Sequence, residues 1–476
     1  MLRFRKAGQL ASSSLCGRWR CMSGVADAST TTAASHSQPS GSDYTGDLDY
    51  DVVLTGGGIM GSSAAYFLSK RIDPRRICVV ERDPTYKLAS TPLSVGGVRH
   101  QFSNRENVLM SMFAMEFIQT MGKELHVEGH DPPDAHFCDD GYLLLASSAG
   151  VDTLRENYAV QQECNASVRL MTRTELADKF PWVNLDGIEL GCYGFKNEGW
   201  VDPWSLLRAF RAKAASSGVR FLTGTVTSVQ CDGTAVTGVG VQCGDNGHDG
   251  GGEAATTTTT ADLKCNYLVN SAGPFAADVA AMAGIGALER LAHLDQSELD
   301  PRLAVPLPVK ARRRCVFGVD QCDGPVSHCP LTVDTSGAYI RREGTGGMFL
   351  CGKCPDKEDD HNNLDLSVDY AFFEETLWPL IANRAPVFEG LKLKNAWAGY
   401  YDYNTFDQNG IIGRHPVVSN FLFANGFSGH GLQHGAAVGR AISEIVCDGA
   451  SHSINLDRLG FERIIAQRPC LEKNVI

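Results

Sequence analysis

Residues 51–70, DVVLTGGGIMGSSAAYFLSK, run from a short apolar strand through three consecutive glycines into a stretch with helical periodicity. Gly56, Gly58 and Gly61 fit G-x-G-x-x-G, in which the first glycine allows a tight turn, the second lets the backbone approach a pyrophosphate, and the third lets helix and strand pack closely. Gly57, Ile59 and Met60 complete the turn and the helix N-terminus, where unpaired N–H groups favour phosphate oxygens. A second strand, ICVVE, ends at Glu81, 20 residues beyond Gly61, at the distance where a carboxylate binds a ribose hydroxyl. The segment therefore reads as a βαβ unit that holds an adenine dinucleotide, with FAD and NAD not yet separated.

The chain has 476 residues, 43% of them hydrophobic, which is enough for two or more domains. A net charge of -12 and the lack of a lysine or arginine run of the kind that tracks a phosphate backbone argue against nucleic acid, and the apolar stretches, such as YLLLA at 142–146, are too short to cross a bilayer. Peripheral contact with a membrane stays open. Residues 1–26 carry Arg3, Arg5, Lys6, Arg18 and Arg20 and no acid, the composition of a mitochondrial transit peptide, and 27–47 form a Ser/Thr-rich disordered linker. Loss of those five charges takes the chain from -12 to about -17 and implies a matrix address. The 16 cysteines are scattered, so they read as thiols. Cys351 and Cys354 have C-x-x-C spacing without a second pair, and Cys315, Cys322 and Cys329 with His328 form a weaker series; no metal site is expected.

Two distant segments favour FAD. KCNYLVNSAGPFAADVAAMAG, 264–284, is a strand ending at Ala272-Gly273 and followed by a helix near Pro274, and 409–446 contains the turn GFSGHG, 426–431, leading into a helix of small residues. In this order the glycine turn, acidic strand end, NSAG strand and GFSGHG turn resemble the FAD-dependent amino-acid and amine oxidoreductases, the family of D-amino-acid oxidase, glycine oxidase, and sarcosine oxidase and dehydrogenase. ERDPTYKLASTPLSVGGVRHQFS, KFPWVN, EGWVDPWSLL, DTSGAYIRREG and AWAGYYDYNTFDQNGIIG resemble, more narrowly, a mitochondrial subgroup associated with respiratory complex I assembly.

That resemblance implies an α/β fold: a discontinuous FAD-binding Rossmann-like domain of the glutathione-reductase type, 48–135, 196–290 and 396–447, with a mainly antiparallel-sheet substrate domain, 136–195 and 291–395. A low-complexity surface loop, 244–262, and a C-terminal tail, 448–476, complete the chain. Besides the first turn and Glu81, it implies cofactor contacts at Arg82, Ser90, Thr91, Gly97, Val226, Ala272, Gly273 and Gly413. In the last turn it implies contacts at Gly426, Ser428, Gly429, His430, Gly431, Leu432 and Gln433. The chemistry that the resemblance implies is oxidation of a C–N bond, with FAD taking the hydride and the protein orienting the substrate.

Arginine suits a substrate carboxylate because its planar fork holds two oxygens. Arg341 matches the family's Y-x-R-P-E-G strand, although Arg342 in place of proline leaves open which of the two points inward. Arg99 matches a flavin-side basic position, while Tyr401, within the group Tyr400, Tyr401, Tyr403 and Phe406, and His430 are the remaining catalytic candidates. The GFSGH stretch fails as a serine nucleophile elbow because His430 stands where a glycine is required.

Departures from the family matter too. Leu432-Gln433 replaces the Phe-Lys of monomeric sarcosine oxidases, STPLSVGG replaces the histidine-linking motif, and no cysteine lies between Trp397 and Gly413, so FAD is expected to be non-covalent. The expected partners are a small amine or amino-acid substrate and complex I assembly intermediates. The alternative function is an FAD-stabilised assembly factor without turnover. An NAD(P)H-dependent flavin reductase would need a second nucleotide motif, and TGVGVQCG at 237–244 runs into the threonine-rich loop instead.

Overall fold

The structure, a computed structural model, describes residues 48–243, 259–291, 299–320, 329–344 and 346–473. The basic segment 1–26, the linker 27–47, Cys322, His328 and most of the 244–262 loop lie outside the described residues.

The apolar run before the glycines forms the strand Asp49–Thr55 inside an eight-stranded sheet. Val52, Val53 and Leu54 are fully buried, since the strand has parallel neighbours on both edges, Thr259–Asn270 and Ile77–Glu81, and parallel sheets are covered on both faces. Arg220–Thr223 and Phe421–Asn425 extend the parallel set on either side, and Ile411–Arg414 closes one edge antiparallel. The hairpin Thr225–Asp232 and Ala235–Cys243 pairs with the first half of Thr259–Asn270.

Helix Ile59–Ser69 packs on helix Gly431–Asp448 through small residues. A Cβ added at Gly435 would lie 2.5 Å from Ile59 Cγ1, and one at Gly439 2.6 Å from the Ser63 carbonyl carbon. The Ser63 hydroxyl donates to Gly435 O at 2.7 Å across this contact. The first turns of two helices far apart in sequence are thus locked side by side, with Gly431 against the Met60 methyl.

A second eight-stranded sheet runs in the order Lys392–Asn404, Val309–Asp320, Met348–Gly352, Tyr339–Glu343, Leu331–Val333, Tyr142–Ala146, Leu190–Gly194 and Val168–Thr172. Every pairing is antiparallel except that of Leu331–Val333 with Tyr142–Ala146. The boundary drawn at residue 396 falls inside Lys392–Asn404, which pairs with Val309–Asp320 along its length and so belongs to this sheet. Residues beyond 448 fold back onto the protein, burying Leu459, Phe461 and Ile464. Among the described residues no helix is long and apolar enough to cross a membrane.

Candidate functional site

A cavity of about 360 Å³ runs along the carboxyl ends of the parallel strands and ends against the second sheet. Gly56, Gly58, Ile59 and Met60 line one stretch of it. Gly56 has φ +95, and a Cβ there would lie 2.5 Å from Ser271 O. Gly58 caps the helix without a side-chain hydrogen bond, and the Ile59 N–H donates to Thr91 Oγ1 at 3.1 Å. Glycine here leaves the start of the helix open to an anion. Gly57 and Gly61 sit behind the wall: the Gly57 N–H donates to Glu81 Oε2 at 2.7 Å, and a Cβ on Gly61 would meet Gly56 O at 2.0 Å.

Glu81 lines the cavity while its Oε1 accepts from the Asp83 N–H at 2.9 Å, so the carboxylate bridges turn and strand end with acceptor sites to spare. Arg82, Ser90, Thr91, Gly97, Val226, Ala272 and Gly273 also line it, and the Arg82 guanidinium stacks 3.8 Å from the Phe275 ring centre. Tyr86 OH, Ser90 Oγ and His430 Nε2 are buried in the same wall and have no hydrogen-bond partner among the described residues. Orphaned polar atoms at both ends of an elongated cavity, joined by a glycine turn at a helix N-terminus, fit a dinucleotide.

At the far end the wall is formed by Gly429, His430, Gly431, Leu432 and Gln433, together with Arg99 and Tyr401. Gly426 and Ser428 stand one layer back, where the Asp402 carboxylate accepts from the N–H groups of Gly426 and Phe427 at 2.8 and 3.1 Å. Burial pushes Asp402 up to about 6, against those two hydrogen bonds. Gly413, on Ile411–Arg414, does not line the cavity. The Gln433 side chain accepts from the Arg99 N–H at 2.8 Å, tying the last helix to the loop that carries Arg99. The Arg99 guanidinium is 4.5 Å from the Phe102 ring centre. Burial, then Arg99 and His434, hold His430 well below the usual histidine range, so its imidazole is neutral and serves as a hydrogen-bond partner rather than a cation. Burial pushes the Tyr401 phenol up, leaving it protonated.

Arg341 lies elsewhere. Its side chain is 4% exposed and does not line the cavity: Nε donates to Val95 O at 2.7 Å and Nη1 to Arg342 O and Glu343. Arg342 pairs with Asp140 at 2.8 Å and does not line the cavity either, so neither guanidinium enters it. The wall instead contains Arg314, together with Tyr142 and Tyr339, none of which the motif reading singled out. Arg314 is the last of three consecutive arginines on one strand, and without its sheet partners nothing in the sequence marks which of them turns inward. Of the remaining candidates, Tyr400 lines the cavity, and Cys351 is a buried thiol donating to Phe317 O.

Behind Arg99 lies Glu198, fully buried, accepting from the His100 N–H at 2.9 Å and Gln101 Nε2 at 2.7 Å. Burial pushes its carboxyl from 4.5 up to about 8, against the hydrogen bonds of Gln101 and His100 and the charge of Arg99. The folded state then binds more protons than the unfolded one between those values, so the stabilising contribution is full below about 4.5 and lost as pH rises through about 8. Thermal unfolding should therefore show the melting temperature of Glu198→Gln rising relative to wild type from pH 5.5 to 8.5. A difference that does not change with pH would remove this role from Glu198.

The family model described as DAO: FAD dependent oxidoreductase matches residues 51–445. "FAD-dependent oxidoreductase domain-containing protein 1" of Xenopus laevis is 45% identical, over 91% of this chain and 86% of the relative, and its Bos taurus counterpart is 42% identical, over 88% and 87%. A monomeric sarcosine oxidase of Arthrobacter is 24% identical over 86% of this chain and 95% of its own. The L-proline dehydrogenase of P. horikoshii superposes with a TM-score of 0.71 at 22% identity, covering 88% of this chain and 99% of that one. The glycine oxidase of Geobacillus kaustophilus gives 0.66 at 18%, covering 87% and 98%.

Proposed function

The chain belongs to the DAO family of FAD-dependent oxidoreductases and binds FAD, and from that premise we propose that it oxidises the C–N bond of an amino acid or N-alkyl amine in the mitochondrial matrix. The observation that carries this reading is the far end of the cavity, where Arg99 and the neutral His430 both line the space next to the last glycine turn. Bound there, FAD supplies a hydride acceptor. The protein's part is orientation. Arg99 attracts a carboxylate, His430 Nε2 accepts from an amine N–H, and Tyr142, Tyr339 and Tyr401 wall the space against water. A neutral imidazole suits a hydrogen bond to the amine better than a charged one, since a second cation beside Arg99 would repel an ammonium.

The matrix address rests on five basic and no acidic residues within 1–26, and a role in complex I assembly rests on the subgroup resemblance centred on AWAGYYDYNTFDQNGIIG. Turnover and assembly are separable. FAD-loaded protein should bleach anaerobically with at least one amino acid or N-methyl amine, and Arg99→Ala should raise the half-saturating concentration about 100-fold, the loss of a charge-assisted pair of about 2.7 kcal/mol. Expression of Arg99→Ala in a null strain then divides the readings: failed rescue of complex I assigns the assembly role to turnover. Full rescue, together with no bleaching by any amine in the wild-type protein, would leave a flavin-stabilised scaffold and sink the oxidase reading.

A further inference from the structure

Arg314 is 8% exposed and lines the far end of the cavity, with its guanidinium 4.8 Å from the Tyr401 ring centre. Its two terminal nitrogens hold Asp360 in a two-point grip, Nη1–Oδ1 2.7 Å and Nη2–Oδ2 2.9 Å, and Nη1 also donates to Arg313 O at 2.9 Å. Its Nε–H is buried and has no hydrogen-bond partner among the described residues. Asp360 lies on the segment 353–369, which has neither helix nor strand and a single bridge, Asn362 to Arg312. The segment is held to the second sheet by a few further bonds: Arg312 to Asp360 O, Arg313 Nη1 to Ser367 O at 3.1 Å, Asn363 N–H to Ala311 O at 3.3 Å and Tyr400 OH to Leu364 O at 2.6 Å.

Arg314 in the cavity wall thus holds its planar guanidinium fork on a carboxylate that does not itself line the cavity, and that carboxylate belongs to a strap rather than to a packed element. Removing Asp360 without a substitute would leave a buried guanidinium uncompensated, at a large cost. Exchanging it for another carboxylate would not, because the charge and the two hydrogen bonds are conserved. Asp360 is 14% exposed and can take its own charge to water as the strap lifts.

We propose that Arg314 is a carboxylate-recognition residue of the substrate site and that Asp360 occupies it until the carboxylate of the substrate displaces it. The proposal rests on the amine-oxidation reading above and sharpens it: plain alkyl amines cannot make the exchange, so the substrate is an amine that bears a carboxylate. Displacement of Asp360 frees the strap, coupling substrate binding to movement of 353–369. The latch lowers apparent affinity by the fraction of time it is open.

The test uses FAD-loaded full chain and redox-inert probes, acetate and pyrrole-2-carboxylate, with acetamide as the uncharged control. Flavin absorbance should report carboxylate binding about tenfold tighter in Asp360→Asn than in wild type, since the competing anion is gone, and near wild-type affinity in Asp360→Glu. Acetate, but not acetamide, should also speed tryptic cleavage of the wild-type strap after Lys357, an exposed residue. Flavin content checks that each variant is folded. Equal affinities in wild type and Asp360→Asn, or cleavage indifferent to acetate, overturn the exchange while leaving amine oxidation intact. A retained tenfold effect without bleaching by any amine overturns amine oxidation and leaves the exchange.

Discussion

Gly61→Ala protein should purify with most of its flavin gone. The added methyl carbon would sit 2.0 Å from Gly56 O and 2.9 Å from Ser271 Oγ, inside any allowed contact, and no rotamer moves a Cβ. The carbonyl it meets belongs to the turn itself, and Ser271 Oγ donates to that carbonyl at 3.0 Å and to Thr55 O at 2.9 Å. Relief therefore displaces Gly56, and with it the Gly57–Glu81 and Ile59–Thr91 hydrogen bonds that set the pyrophosphate end of the cavity. Overpacking of a tight contact costs about 1–3 kcal/mol, and misdirected N–H groups add to it, so FAD affinity should fall about 100-fold or more. The ratio of flavin to protein absorbance after gel filtration measures this. Stoichiometric flavin in Gly61→Ala would show that the third glycine is not needed for packing. Acid precipitation of the wild type should release all its flavin, as non-covalent binding requires.

Gly61 also shows which parts of this molecule can be read from sequence. Its requirement is local, a close crossing of helix and strand within one βαβ unit, and glycine spacing encodes local backbone demands directly. The same holds for Gly56, with φ +95, and for the strand running to Asn270. Spacing does not say which residues form a wall. Gly57, Gly61, Gly413, Gly426 and Ser428 shape or support the turns without lining the cavity, because a glycine needed for crossing faces its neighbour and not the ligand. Arginines are harder still. The side of the sheet on which Arg341, Arg342 and Arg314 emerge depends on register with strands far away in sequence, and the partner that marks Arg314 lies 46 residues later in a segment with no periodicity. Arg341, matched by motif, is engaged with Val95 O and Glu343. Arg314, matched by nothing, reaches the cavity.

The segment after 448 was legible only as a tail, since 449–476 has few long apolar runs, yet Arg463→Ala is expected to be among the most damaging substitutions in the chain. Arg463 and Asp407 form an ion pair whose side chains are 5% and 0% exposed, Nε–Oδ2 2.7 Å and Nη2–Oδ1 3.0 Å. Asp407 also accepts from the Cys470 N–H at 2.9 Å and Asn404 Nδ2 at 2.8 Å. These bonds keep the carboxylate satisfied only in part once the guanidinium is gone. Breaking a buried pair from one side costs about 3–5 kcal/mol, because the remaining charge has no water to turn to, and that is a large share of a total stability of about 5–15 kcal/mol. The damage should also reach the cofactor. Asn404, held by Asp407, donates its N–H to Ser428 Oγ at 2.9 Å, and Ser428 belongs to the turn that leads to His430. Urea unfolding with excess FAD should show a lower midpoint for Arg463→Ala and easier loss of flavin below that midpoint. The double variant Asp407→Asn, Arg463→Gln, which removes both charges and keeps hydrogen-bonding groups, should lose less than the single one. A loss below about 1 kcal/mol in Arg463→Ala would mean that the pair is hydrated in solution and that the C-terminal segment does not brace the last glycine turn.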